Sequence, residues 1–197
     1  MKKFWQNIVM NKLLLHICCG VCAVGLINKF KQDGVKVTGY FYNPNIHPFM
    51  EFRKRLRAVE VLSEQEKLPV HYETAYGLDE FLVAVAPYGK IWAKERCLKC
   101  YEMRLLKTAQ KAKELGFDSF TSTMIVSPQQ NQAVIKNIGE NIAKATGIGF
   151  KYEAVTDLYH ECKELAKKRQ LYRQQYCGCV FSEYERYAGR DDKLVRE

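Results

Sequence analysis

Long apolar runs are missing from the sequence. None of its 197 residues belongs to an uninterrupted apolar stretch approaching the ~18 residues that a transmembrane helix needs, and Lys12, His16 and Lys29 break the longest candidates. The first residues imitate a signal peptide, with Lys2 and Lys3 ahead of an apolar stretch, but polar residues interrupt it and no small-residue cleavage site follows. We therefore expect a cytoplasmic protein with no membrane partner, in which a short leader precedes the first buried strand.

Internal repeats, low-complexity tracts and recognisable linkers are absent as well. Hydrophobic residues make up 47% of the chain and charged residues 27%, an ordinary globular balance that excludes disorder over most of its length. A chain of this length can bury a proper core without the help of disulfides. We therefore predict a single domain over residues 1–197.

Acidic residues are too few to balance the basic ones, which leaves a formal net charge of +9. Such a surplus is typical of proteins that bind nucleic acid, although a basic protein without such a partner is an alternative. Two segments concentrate the charge, and they are either solvated helix faces or contacts for phosphates and unpaired bases. They contain Arg53, Lys54, Arg55 and Arg57, and then Lys163, Lys167, Lys168, Arg169 and Arg173 with Tyr172 and Tyr176.

Cysteine, in contrast, is abundant for a chain with no export signal, where metal binding or redox chemistry is expected rather than structural disulfides. The eight cysteines form three tight groups and one isolated residue: Cys18, Cys19 and Cys22; Cys97 and Cys100; Cys177 and Cys179; and Cys162. Scattered core cysteines would not cluster in this way. A structural role in the core suits Cys162, and it stays open for Cys22.

The spacing of these groups argues against a local zinc ribbon. Cys22 and Cys97 lie 75 positions apart, whereas a ribbon separates its two CxxC pairs by ~15–20 residues. A centre assembled on folding from Cys18, Cys19, Cys97 and Cys100 would offer four thiolates. Such a set suits either a [4Fe–4S] cluster or a tetrahedral zinc ion.

The two later cysteine groups have local features of their own. Apolar residues recur at helical spacing after Cys97, so Cys97 and Cys100 are predicted one turn apart near the N-terminus of a helix, where free N–H groups stabilise thiolates. Gly178 separates Cys177 from Cys179 and lets their thiols approach each other. That pair suits reversible disulfide formation or two further metal ligands.

Strand-like and helix-like segments alternate along the chain, which predicts an α/β fold with a parallel sheet covered by helices on both faces. The predicted strands include residues 12–18, 35–42, 118–123 and 150–155, and the last predicted helix spans residues 161–176. Parallel sheets bind ligands beyond the carboxyl ends of their strands. Cys18 and the loops at residues 43–47 and 121–127 follow predicted strands, so we expect the site there.

The loop at residues 42–48, YNPNIHP, is rich in polar groups next to prolines. Its amides and imidazole could hydrogen-bond a ring or a sugar; alternatively, the loop is two turns that lead into a helix. His16 lies within an apolar strand, which favours a core histidine with satisfied hydrogen bonds. Neither a Walker-type loop nor an SGGxDS-like loop is found, which argues against ATP-dependent thiolation.

Five segments, in this order, resemble one known family: LLLHICCGVCA, YFYNPNIHPFMEFRKR, RCLKCYEMRL, FTSTMIVSPQQN and YRQQYCGC. Together they are similar to the cobalamin-independent epoxyqueuosine reductases over residues 13–179. A double cysteine, a CxxC, a CGC and an NPNIHP loop rarely coincide, so the combination is specific. The sequence departs from the pattern at Val21, where many members have proline.

The resemblance implies a single epoxyqueuosine reductase domain with a Rossmann-like, nucleotide alpha-hydrolase-like fold. The implied enzyme is an oxidoreductase that removes the epoxide oxygen from epoxyqueuosine at the wobble position of tRNA by a two-electron, two-proton reduction. Its implied cofactor is a [4Fe–4S] cluster, without cobalamin, and its partners are tRNA and an external electron donor. By motif, the cluster ligands would be Cys18, Cys19, Cys97 and Cys100, and the redox-active pair would be Cys177 and Cys179.

The implied reaction leaves several alternatives open. Tyr42 and His47 are the candidate catalytic proton donors within the NPNIHP motif, and Tyr101 is a third candidate beside the CxxC motif. A cluster held by four cysteines has no open iron, so either it only transfers electrons, or an additional iron or an exchanged ligand contacts the epoxide oxygen. Two other functions fit the residues: a zinc- or cluster-binding tRNA-modifying protein of the thiolation type, and a non-catalytic cysteine-based redox or metal sensor.

Overall fold

Five parallel strands form the centre of the protein. The computed structural model describes residues 12–89 and 93–188, so the predicted leader lies outside the described residues. The strands are β1 (Lys12–His16), β2 (Lys36–Phe41), β3 (Val70–Tyr72), β4 (Ser119–Ser122) and β5 (Gly149–Phe150). They pair side by side in the order β3-β2-β1-β4-β5.

β1 lies in the middle of the sheet because its side chains are apolar on both faces. Leu13, Leu14 and Leu15 are fully buried, as expected for a strand covered by helices above and below. The register places Leu14 beside Thr38 of β2 and Phe120 of β4. The continuous apolar run that predicted this strand is therefore confirmed as the central strand of the core.

Seven helices flank the sheet in the described part of the chain. They are α1 (Gly20–Gln32), α2 (Phe49–Glu66), α3 (Leu78–Val85), α4 (Ala93–Glu114), α5 (Gln132–Thr146), α6 (Leu158–Lys168) and α7 (Val180–Tyr187). α1 packs against α2 and α6, whereas α4 packs against α3 and α5. Among the described residues, no helix combines the length and the apolar character that crossing a lipid bilayer requires.

The order of the strands explains why the helices form two layers. The chain moves outward from β1 through β2 to β3 and then returns to β4 on the other side of β1. Right-handed crossovers consequently place α1 and α2 on one face and α4 and α5 on the opposite face. The predicted Rossmann-like α/β class is confirmed, and the arrangement is consistent with a nucleotide alpha-hydrolase-like fold.

His16 ends β1 as a buried histidine. Its Nδ1 lies 2.8 Å from Ser122 Oγ, and its Nε2 lies 3.0 Å from the Tyr42 carbonyl oxygen. Burial lowers the pKa of His16 to about 3, so its ring is neutral at neutral pH. The prediction of a core histidine with satisfied hydrogen bonds is confirmed.

The strand predicted over residues 150–155 is wrong beyond its first residue. Only Gly149 and Phe150 pair with β4. Lys151 adds one hydrogen bond from its N–H to the Phe120 carbonyl, at 2.9 Å, before the chain leaves the sheet. β5 lies at the edge of the sheet, where only β4 can pair with it. Its length therefore depends on how far it pairs with β4, which the alternation of its side chains does not reveal.

The helix predicted over residues 161–176 is also wrong in its second half. α6 ends at Lys168, after which Gln170 adopts a left-handed φ of 55°. The Leu171 N–H then bonds to the Ala166 carbonyl at 2.9 Å, and the Leu171 side chain is buried. This is the Schellman ending of a helix. Residues 171–179 continue without regular secondary structure into α7, which the sequence did not predict.

α1 and α6 approach each other closely at Gly25 and Cys162. A Cβ at Gly25 would lie 2.4 Å from the Cys162 Sγ, whereas the Cβ and Cα of Cys162 would be at ordinary contact distances of 3.6 and 3.7 Å. Cys162 itself is fully buried. Its thiol therefore fills the space between the two helices, and its predicted place in the core is confirmed.

We expect Gly25→Ala to lower the free energy of unfolding by about 1–3 kcal/mol, because the new methyl group would overlap the Cys162 sulfur. In a Cys162→Ala background the same substitution should cost much less, since the overlapping atom is gone and alanine has the higher helix propensity. Urea unfolding of the wild type, both single variants and the double variant measures this coupling. An equal cost of Gly25→Ala in both backgrounds would contradict the packing.

Candidate active site

A pocket of about 730 Å³ opens beyond the carboxyl ends of the strands. Residues that follow β1 and β4 line it, which places it where the strand order reverses, the usual ligand position in such sheets. Its volume suits a ligand of nucleotide size. Thiols from all three cysteine groups line the wall, namely Cys18, Cys22, Cys97, Cys100, Cys177 and Cys179. Cys19 is buried beside them without lining the pocket.

The turn after β1 carries the first cysteine group. Asn43 Nδ2 donates to the Ile17 carbonyl at 2.9 Å and so holds this turn against the end of β2. The Thr123 hydroxyl accepts a hydrogen bond from the Cys18 amide at 3.1 Å and lies 3.2 Å from Cys18 Sγ. The residues that follow β1, β2 and β4 therefore meet at Cys18.

The thiols of this first group influence one another. A hydrogen bond with Cys19 and burial raise the pKa of Cys18 well above its usual value. The Cys18 thiol lowers the pKa of Cys19, but the Cys22 thiol and burial outweigh it and raise that pKa to about 12. Gln174 Nε2 also donates to Cys19 Sγ at 3.1 Å. The Cys18 and Cys19 thiols are consequently protonated at neutral pH unless a metal displaces their protons.

α4 carries Cys97 and Cys100 one turn apart. Ala93 is the first residue of α4 that the structure describes, so Cys97 already lies in the second described turn. Cys97 is exposed and Cys100 is buried, where it packs in a small apolar cluster with Phe81 and Cys179. Burial raises the pKa of Cys100 to about 12. The last cysteine pair thus adjoins the CxxC pair.

α7 begins directly after Cys177-Gly178-Cys179. Cys179 Sγ accepts a hydrogen bond from the Ser182 amide at 3.4 Å and so caps the helix. Gly178 has a φ of 146°, a conformation that side chains rarely adopt. A Cβ at this position would also lie 3.2 Å from Arg55 Nη1 and 3.3 Å from Ile46 Cγ1. Backbone conformation and close packing therefore both call for glycine between the two cysteines.

Arg55 attaches this segment to α2. The side chain is only 1% exposed, and its Nε donates to Glu51 Oε1 at 2.7 Å. Its two terminal nitrogens donate to consecutive carbonyls, that of Cys177 at 2.8 Å and that of Tyr176 at 2.9 Å. Arg55 fits neither interpretation of the basic segment, a solvated face or a phosphate contact, because every nitrogen of its guanidinium is engaged inside the protein.

The loop at residues 42–48 holds the same segment through its backbone. The His47 N–H donates to the Gly178 carbonyl at 2.7 Å, and the Tyr176 hydroxyl donates to the His47 carbonyl at 2.6 Å. Asn45 lines the pocket. The loop leads into α2 at Phe49, as the second interpretation of this sequence expected.

Arg104 is a functional candidate that the sequence analysis missed. It lies on α4 one turn after Cys100, is 2% exposed and lines the pocket. Burial opposes its charge, but Cys100 and Cys18 outweigh that effect and raise the pKa of Arg104. A permanent cation therefore stands among the thiols. A charged residue on the cysteine-bearing face of a predicted helix was the signal that could have found it.

Arg96, a second buried arginine of α4, connects that helix to α7. Its Nη2 donates to Glu185 Oε1 at 2.7 Å, and its guanidinium carbon lies 4.1 Å from the centre of the Phe181 ring. Its Nη1 donates to the Gly89 carbonyl at 2.6 Å. Arg96 thus fixes the helix that follows the CGC pair against the helix that carries the CxxC pair.

The three candidate proton donors occupy different places. Tyr101 lines the pocket, and burial raises its pKa to about 12. Tyr42 is not among the lining residues, and its hydroxyl is hydrogen-bonded to Glu80. His47 is not a lining residue either, although its ring packs against Phe81, which lines the pocket, and burial lowers the pKa of His47 to about 4. The structure therefore brings one of the three to the pocket with the cysteines.

The described residues do not form a complete metal-binding site. Within residues 12–89 and 93–188, no group of three or more Cys, His, Asp or Glu side chains is arranged so that it could hold a metal ion. All eight cysteines are free thiols. The cysteines thus share a pocket, while the assignment of four of them as cluster ligands stays a prediction.

The fold and this pocket together define a class of protein: a Rossmann-like α/β protein with a cysteine-lined, nucleotide-sized pocket at the carboxyl edge of its sheet. The family model described as epoxyqueuosine reductase QueH matches residues 13–185, so the chain belongs to that family of oxidoreductases. The resemblance stated from the motifs is confirmed.

Curated relatives support the same family. An epoxyqueuosine reductase QueH of Dehalococcoides mccartyi is 39% identical over 176 residues, which cover 89% of this chain and 94% of the relative. One of Thermotoga maritima is 35% identical over 183 residues, covering 90% and 93%. One of Helicobacter pylori is 37% identical over 182 residues, covering 86% of this chain but 49% of the longer relative.

We expect Arg55→Lys to loosen the CGC segment, because lysine keeps the charge beside Glu51 but cannot bond two consecutive carbonyls. A hydrogen bond from a charged donor contributes about 1.5–3 kcal/mol, so the His47 amide should exchange with solvent roughly tenfold faster or more. Hydrogen-exchange measurements on the His47 N–H test this, with Arg53→Lys on the exposed side of α2 as the matched control. Equal exchange in the two variants would contradict the assigned role of Arg55.

Proposed function

We propose that this chain reduces epoxyqueuosine to queuosine at the wobble position of tRNA, in the cytoplasm. The reaction takes two electrons and two protons, breaks both carbon–oxygen bonds of the epoxide and releases the oxygen as water. The observation that carries the proposal is the meeting of six cysteine side chains from three distant segments around one nucleotide-sized pocket, in a chain of the epoxyqueuosine reductase family.

The donor set suits an iron–sulfur cluster. Thiolates are the preferred ligands of such clusters, and Cys18, Cys19, Cys97 and Cys100 are the four ligands that we assign by motif. A four-cysteine cluster is anionic, and the buried cation of Arg104 beside Cys18 and Cys100 would balance part of that charge. A cluster held by these residues would supply electrons one at a time, without cobalamin.

Cys177 and Cys179 are proposed as the pair that accepts electrons from outside. Cys177 is exposed, so the thiols of an external donor can reach it by thiol–disulfide exchange. Cys179 packs with Cys100, which places the pair next to the proposed cluster ligands. Oxidation of the two thiols to a disulfide releases two electrons and two protons, the number that one epoxide consumes.

Tyr101 is the proton donor that the geometry favours. Its ring lines the same pocket as the cysteines, and with a pKa of about 12 its hydroxyl carries a proton at neutral pH. The Asn131 N–H, 3.4 Å away, points at the Tyr101 oxygen and would stabilise the phenolate left after proton transfer. Tyr42 and His47 are better placed to support the walls of the site than to reach the substrate.

The reaction is tested in cells by deleting the gene and analysing the nucleosides of tRNA by mass spectrometry. We expect epoxyqueuosine to accumulate and queuosine to disappear, and the wild-type gene to reverse both changes. A deletion strain with unchanged queuosine, in which no second reductase is present, would refute the proposed reaction.

The two cysteine roles are separated by single substitutions in protein purified without oxygen. Cys97→Ala should lose the iron chromophore and turnover together, whereas Cys177→Ser should keep the iron and lose turnover with a thiol donor. Cys162→Ala is the matched control and should keep both. A Cys97→Ala protein with full iron and full turnover would refute the ligand assignment.

Either Cys19 or Cys22 could be the second cluster ligand of the first cysteine group, and the same assay can decide between them. Cys22 lines the pocket, whereas Cys19 lies behind it. Our assignment predicts that Cys19→Ala loses bound iron and that Cys22→Ala retains it. The reverse result would move the ligand position from Cys19 to Cys22 and leave the rest of the proposal intact.

A further inference from the structure

A second concave surface lies outside the reaction pocket, between α2 and the segment after α6. It encloses about 420 Å³. Three exposed cations of α2, Arg53, Lys54 and Arg57, stand along it. Its remaining wall consists of Leu56, Ala58, Glu60, Val61, Gln170, Leu171 and Tyr172. We call this surface the α2 groove.

The chemistry of the α2 groove fits a chain of nucleotides. The three cations can contact phosphate oxygens, while the partly exposed Val61 side chain offers an apolar surface to riboses or bases. The Tyr172 ring adds an aromatic face, and Lys54 Nζ lies 5.6 Å from its centre. Glu60 opposes this chemistry, since its carboxylate lies 3.1 Å from Arg57 Nη1.

The α2 groove and the reaction pocket are lined by neighbouring residues of the same two segments. Residues 170–172 line the groove, and residues 173–177 of the same extended segment line the pocket. α2 is likewise shared, because Arg55 faces the pocket and holds Cys177 while Arg53, Lys54 and Arg57 face the groove. An RNA strand whose reacting base occupies the pocket would therefore reach the groove along residues 172 and 173.

We propose that the α2 groove holds the sugar–phosphate backbone of the unpaired loop nucleotides that flank the reacting nucleotide of the tRNA. This inference deepens the proposed function and rests on it for the identity of the RNA. The groove gives affinity and orientation through phosphates, and the pocket selects the base. Glu60 weakens the binding of RNA, because its carboxylate forms an ion pair with Arg57.

Salt dependence of RNA binding tests the proposal. The probe is a fluorescent anticodon stem-loop with an unmodified wobble guanosine, so binding is measured without any turnover. We expect the triple variant Arg53→Gln, Lys54→Gln, Arg57→Gln to bind roughly tenfold more weakly at low salt. Three lost single-strand phosphate contacts should also reduce the slope of log affinity against log salt by about 2.

The matched control removes the same number of positive charges from the opposite face of the sheet. Lys113→Gln, Lys136→Gln, Lys144→Gln changes three exposed lysines of α4 and α5. Because its net charge equals that of the groove variant, general attraction to RNA falls equally in both. A control variant that loses as much affinity and slope as the groove variant would overturn the proposal.

Glu60→Gln gives a second test of opposite sign. Releasing Arg57 from its ion pair should tighten RNA binding, measurably beyond the effect of Glu140→Gln, a comparable exposed carboxylate paired with Lys136 on α5. Equal effects of the two substitutions would count against the groove. Turnover of epoxyqueuosine by the wild type is measured separately. If the wild type reduces epoxyqueuosine but the groove substitutions do not change RNA binding, this inference is overturned and the proposed function stands.

Discussion

The contact between Arg55 and the backbone of residues 176 and 177 decides where the last cysteine pair lies. This guanidinium is almost fully buried, which is costly unless its donors are paired, and here Glu51 and two carbonyl oxygens accept from it. The segment that it holds has no helical or strand hydrogen bonds of its own over residues 171–179. Cys177 and Cys179 therefore reach the pocket because α2 and the loop before it fix their backbone.

The sheet supplies the place where the other thiols meet. β1 is central and fully apolar, so its end delivers Cys18 to the point where the strand order reverses. α4 crosses the opposite face and brings Cys97 and Cys100 to the same edge. Arg104 then adds a fixed positive charge among the thiols, which favours an anionic centre over isolated neutral thiols.

Local patterns were sufficient to predict the fold class and the grouping of the cysteines. The apolar run of β1 and the helical spacing after Cys97 are each visible within a short window of sequence. The course of residues 169–187 could not be predicted from a short window of sequence. α6 ends because Leu171 turns into the core, and α7 begins after Cys179, whose side chain caps it. The role of Arg55 was equally hidden, since the two carbonyl groups that it holds lie more than 120 positions away in the chain.

The most direct test of the central claim is to purify the chain without oxygen and to measure its iron together with the conversion of epoxyqueuosine in tRNA. The account predicts a coloured, iron-containing protein that forms queuosine under a chemical reductant, and loss of this activity when the iron is removed. A colourless, iron-free preparation that forms queuosine at the same rate would contradict it.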